Sequence, residues 1–457
     1  MTKIHFIGIG GIGMSALAEI CLARGGEVTG SDLRPNNLTE KLMRKGADIS
    51  SGHDRLNISV DMDLVIRSFC IRDDNPELKR ARELDIPVIS RSEMLKEVLG
   101  EARVSIGVTG THGKTTTSAL VAHIMECCGM DPTAIIGGEV DSFNGNAKKG
   151  RDDLIVSEID ESDGFFRDIR VSHAIVTNIE REHMENYGSM EHLVKAYGQF
   201  ISHIRSDGIL VFNGEDRLLR NISSKARARR IDFGFRDSFR YSCRNTTFDR
   251  SIKFDLLKNG RSSGTVASSL MGRYNVTNIL SAMALCMEMG LEFERSAEAV
   301  KSFKNVKRRF DLIGKIGSIE VFEDYAHHPT ELRSVIEAAR GYGRGRVITI
   351  FQPHRFSRTR DLAEDFLYCF HGSDILILTD IYSADEDPGE GIGIRDIYER
   401  IDSARFKLVD FMRKEEIPGF LTGIVQEKDT ILVLGAGDIG DISRPLVEEI
   451  QKSGKGG

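Results

Sequence analysis

Gly110-Thr111-His112-Gly113-Lys114-Thr115-Thr116-Thr117 decides how this chain is read. It follows the apolar run Val104-Ser105-Ile106-Gly107-Val108-Thr109, which has the composition of a buried strand. It precedes a stretch, 115–128, in which Leu120, Val121, Ile124 and Met125 recur at helical spacing. Strand, glycine turn and helix start together surround an anion with backbone N–H groups and the positive end of a helix. In that setting Lys114 reaches the β and γ phosphates of ATP, and the Thr115 hydroxyl ligates Mg²⁺. Gly110, Thr111, His112, Gly113 and Thr116 complete the expected cradle. The motif is the short form Gly-x-x-Gly-Lys-Thr, because Val108 stands where the general pattern has its first glycine.

Upstream lies a second glycine motif, Gly8-Ile9-Gly10-Gly11-Ile12-Gly13, between a predicted strand and a predicted helix, with Asp32 closing the next strand. Alone it is a dinucleotide fingerprint, acid included, and favours an NAD-dependent oxidoreductase. The diphosphate of a UDP-linked substrate satisfies the same amides. Gly10, Gly11, Ile12, Gly13, Ser31 and Asp32 are therefore candidate substrate contacts.

At 457 residues the chain is too long for one core. A net charge of -7 argues against a nucleic-acid partner, and apolar runs of only strand length argue against membrane insertion. Seven cysteines, with no Cys-x-x-Cys pair, read as a reduced cytoplasmic protein without a disulfide frame or zinc cluster. The N-terminus runs straight into a strand and leaves no room for a signal peptide.

Strands and helices alternate in three blocks, so the expected class is α/β in three domains. Residues 1–101 read as a Rossmann-like sheet with strands over 4–9, 27–30, 64–67 and 88–89. Residues 102–307 read as a central phosphate-loop, ATPase-type α/β domain. Its strands fall over 104–109, 154–157, 174–177 and 209–212, with antiparallel strands within 230–270 and a helix over 275–289. Lys307-Arg308-Arg309-Phe310-Asp311 marks the join to a third, Rossmann-like unit over 308–457. There strands are expected over 319–322, 346–351, 375–379 and 430–434, a helix over 329–340, and a frayed tail from 452.

Two acidic or imidazole-bearing segments follow central strands. Leu154-Ile155-Val156-Ser157 ends in Glu158-Ile159-Asp160-Glu161-Ser162-Asp163, and His173-Ala174-Ile175-Val176-Thr177 ends in Asn178-Ile179-Glu180-Arg181-Glu182-His183. Carboxylates at strand ends beside a phosphate loop supply the oxygen ligands a hard cation needs. Glu158 and His183 are the candidates, with Thr115, for metal binding.

With these motifs in order, the chain resembles the Mur ligases, ATP-dependent amide-forming enzymes of peptidoglycan synthesis. The resemblance spans the whole chain and rests on the loop 110–117, Glu158, His183, Asn275 and Asn278 at a helix start, Arg309 in Lys-Arg-Arg-Phe, and Asp324 in Glu-Asp-Tyr-Ala-His-His-Pro-Thr-Glu. The branch it is most similar to attaches L-alanine to UDP-N-acetylmuramate, pointed to by Gly-Ile-Gly-Gly-Ile-Gly-Met-Ser, His327-His328-Pro329-Thr330-Glu331 and Phe351-Gln352-Pro353-His354-Arg355-Phe356-Ser357-Arg358-Thr359. A relative that recycles UDP-N-acetylmuramate with a preformed peptide is the alternative.

What the resemblance implies is activation of the lactyl carboxylate by the γ-phosphate of ATP and attack of alanine on the acyl phosphate. Lys114 and Arg309 serve as cations, Thr115 and Glu158 hold one Mg²⁺ and His183 a second, with Mn²⁺ as the other candidate ion. Asn275 and Asn278 serve the nucleotide, with Asn275 against adenine, Asp324 binds its ribose, and the third domain closes on the second. Tyr325, His327, His354, Arg355 and Arg358 are the expected grip on alanine or the substrate carboxylate. The enzyme is expected as a monomer or weak dimer. Tyr274 stands where the family's helix-opening motif has His, Val65 to Ile71 replaces a Ser-Ser-Ala-type run, and Lys195 is not assigned the carbamylated role known in later ligases of the pathway.

Overall fold

The computed structural model describes residues 2–384, 386–387 and 393–454; the last three residues of the expected tail lie outside them. The chain divides into two compact units, the first made of Met1–Asn245, Phe254–Val266 and Thr277–Lys304, the second of Thr246–Lys253, Ala267–Val276 and Asn305–Gly457.

The first unit opens with five parallel strands, β1 (Lys3–Ile7), β2 (Glu27–Asp32), β3 (Asp48–Ser51), β4 (Leu64–Arg67) and β5 (Val88–Ser90), in the order β3-β2-β1-β4-β5. Alternation along β1 decides its two faces. Ile4 and Phe6 join a core shared with Met14, Leu17 and Leu95, whereas Ile7 joins Val65, Leu78 and Ala81 on the other side.

The second sheet runs from β6 (Val104–Thr109) through β7 (Pro132–Val140), β8 (Gly145–Lys148), β9 (Arg151–Glu158), β10 (His173–Val176), β11 (Ile209–Asn213), β12 (Arg229–Phe233), β13 (Tyr241–Phe248) and β14 (Ile252–Lys258) to β15 (Arg261–Ser268). Its order is β15-β14-β13-β12-β11-β10-β6-β9-β7-β8. β6 lies between β9 and β10, parallel to both. The loops leaving these three strands therefore share one edge, which is what the sequence motifs require. The hydrophobic core continues from the first sheet into this one through Ile135, Ala147 and Ile155.

The second unit carries β16 (Asp311–Ile316), β17 (Ile319–Asp324), β18 (Val347–Phe351), β19 (Ile375–Leu378), β20 (Leu408–Phe411) and β21 (Thr430–Leu434), ordered β16-β17-β21-β18-β19-β20. Only β16 pairs antiparallel. One face gathers Phe322, Phe351, Leu376, Leu378, Leu432 and Leu434, the other Val321, Ile348, Ile350, Ile377, Ile431 and Val433. Strands buried on both faces read as continuous apolar runs, which made them visible in sequence.

A polar network is sealed inside the first sheet. The fully buried Glu77 accepts hydrogen bonds from Ser31 Oγ (2.7 Å) and Asn57 Nδ2 (2.6 Å), with His53 Nδ1 at 3.0 Å and His5 Nε2 at 3.6 Å. Removing the shared acceptor strands several buried donors. Glu77→Ala is expected to lower the unfolding free energy by about 3 kcal/mol in urea denaturation of the full chain. A loss indistinguishable from a surface substitution contradicts this account.

Candidate active site

The phosphate loop is held from β10. Gly110 has φ +132°, a conformation closed to residues with a Cβ, and Thr177 Oγ1 fills the space a Cβ needs. Thr177 Oγ1 donates to His112 O (2.6 Å), Asn178 Nδ2 to the same oxygen (3.0 Å), His112 N to Asn178 Oδ1 (2.9 Å), and Glu180 N to Thr111 Oγ1 (2.8 Å). Gly113 follows in the left-handed region and opens the helix Lys114–Cys127 with no described side chain capping it. The early N–H groups of that helix thus face the loop. Thr115 and Thr116 are buried in the first turn, and Asn278, on the helix Arg273–Glu288, packs against Gly113.

Lys114 folds back over the loop. Its ammonium donates to Gly110 O (2.8 Å) and Thr111 O (3.1 Å) and pairs with Glu161 (3.0 Å). Burial alone lowers its proton affinity, but Glu161, then Asp160 and Glu158, hold it well above the ordinary lysine value. Asp160 shows the converse: burial opposes ionisation, yet Arg91, Lys114 and His183 keep it well below the usual carboxylate range.

Glu158 ends β9 opposite Val108 and accepts from Gly137 N (2.9 Å). Its carboxylate occupies the place of a Cβ at Gly137, so only glycine admits it there. His183 sits at φ +57° before the short helix Met184–Tyr187, with Nδ1 3.5 Å from Glu185. Burial lowers its proton affinity, and Glu185, Glu182, Glu161 and Asp160 more than restore it. The loop, Glu158, His183 and Asn278 are thus brought together. Lys195 lies on the exposed face of the helix Met190–Ser202.

The glycine motif of the first sheet is folded onto the end of β2. Gly8 and Ile9 N–H groups donate to Ser31 O (2.8 and 3.0 Å), Gly11 N to Gly8 O (3.2 Å), and Gly10 N to the Asp32 carboxylate (2.9 Å). Ser31 turns its hydroxyl inward to Glu77, while the Ile12 carbonyl accepts from Asn146 Nδ2 at 2.5 Å. Gly13 packs directly beneath the Arg91 guanidinium.

The remaining candidates belong to the second unit. Asp324 ends β17 and accepts from Phe310 N (2.6 Å) and Ala326 N (2.7 Å). Burial pushes its carboxyl up to about 6, although Arg309 and both N–H groups favour the ionised form. The Arg309 guanidinium lies 5.1 Å from the Tyr325 ring centroid, with Arg308 at 5.2 Å. Arg308 is tied to Gly435 O (2.9 Å), Gly437 O (3.1 Å) and Glu323 (2.6 Å). Tyr274 is kept a neutral phenol by burial and by Asp324, and Asn275 donates to Met271 O (2.8 Å).

Beyond β18, Arg358 Nη1 lies 3.0 Å from both His354 Nδ1 and His354 O, and the His354 ring stacks on Tyr382 with centroids 5.5 Å apart. His327 packs against Tyr325 (5.5 Å) and His354 (6.1 Å). Arg355 takes φ +72° and donates its N–H to Tyr382 O at 2.8 Å. These residues form one cluster after β17 and β18, the carboxyl ends where parallel sheets bind ligands. Sequence reasoning missed Thr177, Asn178 and Glu161, which hold the phosphate loop and its lysine; the only signal was their adjacency to strand ends.

Residues 3–103 match the Mur ligase family catalytic domain, 108–286 the Mur ligase middle domain, and 308–437 the Mur ligase glutamate ligase domain. A UDP-N-acetylmuramate–L-alanine ligase of Syntrophus aciditrophicus is 38% identical over 454 residues, covering 99% of this chain and 94% of the relative. The chain belongs to the Mur ligase family. Among solved Mur ligases, the UDP-N-acetylmuramate-alanine ligase of Thermotoga maritima superposes with a TM-score of 0.86 at 32% identity, covering 99% of this chain and 100% of the other. A murein peptide ligase of Psychrobacter arcticus shares the fold, with a TM-score of 0.74 at 22% identity and 99% of each chain covered. The three-domain Mur ligase fold, α/β throughout, is thereby established. No described helix is long and apolar enough to cross a membrane.

Asp324 gives the Mur ligase a testable pH signature. Its folded value of about 6 lies above the unfolded carboxyl range, so the folded chain keeps a proton that the unfolded chain has lost. That contribution is complete below about pH 4 and is lost as pH rises through 6. Between pH 4 and 7, Asp324→Asn is expected to gain about 3 kcal/mol on the parent in denaturant unfolding. A difference that stays flat with pH overturns the assignment.

Proposed function

We propose that this Mur ligase joins L-alanine to the lactyl carboxylate of UDP-N-acetylmuramate, giving UDP-N-acetylmuramoyl-L-alanine, ADP and phosphate. The full-length likeness to the Syntrophus alanine ligase, at 38% identity, carries this reading. It makes the chain an ATP-dependent amide-forming ligase of peptidoglycan synthesis and cell wall biogenesis, acting in the cytoplasm as a monomer or weak dimer. The oxidoreductase reading of the glycine motif gives way, because it leaves Lys114, Glu158 and His183 without a role. The peptide-recycling reading is less favoured, since its representative superposes less closely.

In this reading residues 1–101 hold the UDP-linked substrate, 102–307 hold ATP, and 308–457 supply alanine binding and complete the nucleotide site. The carboxylate oxygen attacks the γ-phosphorus, ADP leaves, and the alanine amine displaces phosphate from the acyl carbon. Two anions meet in the first step, so charge compensation and alignment are the main tasks of the protein. Lys114, already desolvated and permanently charged, exchanges Glu161 and the loop carbonyls for phosphate oxygens. Arg309 is the second cation, Asn275 lies against adenine, Asn278 serves the nucleotide from beside Gly113, and Asp324 accepts from its ribose. His327, His354, Arg355 and Arg358, with Tyr325, grip the incoming carboxylate of alanine.

The donor set fits a hard divalent cation, because Thr115 and Glu158 offer oxygens and His183, half-buried near Asp160 and Glu161, would add an imidazole. Mg²⁺, as two ions, or Mn²⁺ bound there neutralises phosphate charge.

Incubating the enzyme with ATP, Mg²⁺, UDP-N-acetylmuramate and single amino acids or peptide tests the reading through ADP release. Alanine-dependent release is expected; release with peptide alone supports the recycling enzyme, and release needing neither an ATPase. Lys114→Ala should reduce the alanine-dependent rate by about 10³ or more. Near-normal turnover of that variant rules out Lys114 as the phosphate-binding cation.

A further inference from the structure

Arg91 joins the glycine loop of the first unit to the acidic loop that pairs with Lys114. It is the first residue of the helix Arg91–Glu101, fixed there by a capping box in which Ser90 Oγ accepts from Glu93 N and Glu93 accepts from Ser90 N. Its side chain is 21% exposed, and its Nη2 lies 3.3 Å from Asp160 and 3.8 Å from Asp163. On the other side it covers the glycine loop: a Cβ at Gly13 would stand 2.7 Å from Nη1 and 3.0 Å from Cδ. The neighbouring Ser92 hydroxyl donates to Asp163, so two consecutive side chains fasten this helix to the acidic loop.

A line of charge follows, with a cation at each end and two carboxylates between them. Arg91 pairs with Asp160, Asp160 neighbours Glu161, and Glu161 pairs with Lys114. One end of that line touches the glycine loop at Gly13, and the other is the lysine of the phosphate loop. A guanidinium has five donors in a rigid fork, and an anion seated on the glycine loop competes with Asp160 for them. As Arg91 turns toward that anion, Asp160 loses its compensating charge and draws a cation at the phosphate loop more strongly.

We propose that Arg91 is a positioning residue that couples occupancy of the glycine loop by the diphosphate of the UDP-linked substrate to nucleotide binding at the phosphate loop. The proposal rests on the functional reading above. It makes the two affinities reciprocal: whatever factor one ligand gains from the other is returned in kind.

Calorimetric titration of the full chain with Mg²⁺ and a non-hydrolysable ATP analogue, with and without saturating UDP-N-acetylmuramate, measures the coupling. The parent should bind the analogue about ten-fold more tightly when the substrate is present. In Arg91→Ala that gain should vanish because the analogue alone already binds about as tightly as it does to the parent with substrate present. Arg91→Lys, which keeps the charge but not the fork, should recover part of it. Gly13→Ala, which displaces the guanidinium without removing it, should lose the gain even at UDP-N-acetylmuramate shown by its own titration to saturate that variant, and it serves as the second variant should Arg91→Ala fail to fold. Undiminished coupling in Arg91→Ala or Gly13→Ala, or no coupling in an active parent enzyme, overturns the proposal. A parent that shows no alanine-dependent ADP release fails the functional reading instead.

Discussion

A lysine ammonium withdrawn from water needs negative partners close by, and much of the first unit is arranged to supply them to Lys114. Two carbonyls of the phosphate loop and Glu161 surround it. Meeting that need creates another, because Glu161 stands beside Asp160, and two adjacent carboxylates demand further positive charge. Arg91 and His183 provide it from different segments. The result is a cluster already balanced before any phosphate arrives. In the proposed reaction, binding a nucleotide is an exchange of anions around a fixed cation, which spares the reorganisation that open water imposes.

Close backbone approach is the second condition. Glu158 reaches Gly137 N only because that position has no side chain, and β7, which carries Gly137, aligns with β9 through pairs such as Ala134 with Val156. Glu158 is therefore placed by a backbone N–H of a neighbouring strand. The acid itself is only the visible half of that arrangement.

This explains what could be read from the sequence. The strand, turn and helix around residue 110 were legible because they are local and obey short-range rules. In the last sheet β17, β18, β19 and β21 were legible because burial on both faces leaves apolar runs such as Ile431–Leu434, whereas the half-buried β16 and β20 were not. β7 and β8 were not, since Pro132, Gly137 and Gly138 dilute the pattern and only pairing to β9 fixes the strand. β2 ends at Asp32, as the glycine motif led one to expect, but its parity turns Ser31 toward Glu77, 46 positions away in sequence. Four acids between residues 158 and 163 were plain to see. Which of them faces the lysine and which the glycine at 137 depends on contacts that spacing does not encode.

The helix Pro329–Tyr342 begins at His328, whose Nδ1 accepts the Thr330 N–H at 3.2 Å. An imidazole that accepts through one nitrogen must, when neutral, carry its hydrogen on the other. The helix start thereby selects a single tautomer and gives the ring a direction: Nε2 is an N–H donor, and proton uptake at Nδ1 would cost the first turn its cap. His328 is thus a directional group, with one lone pair committed to the helix start.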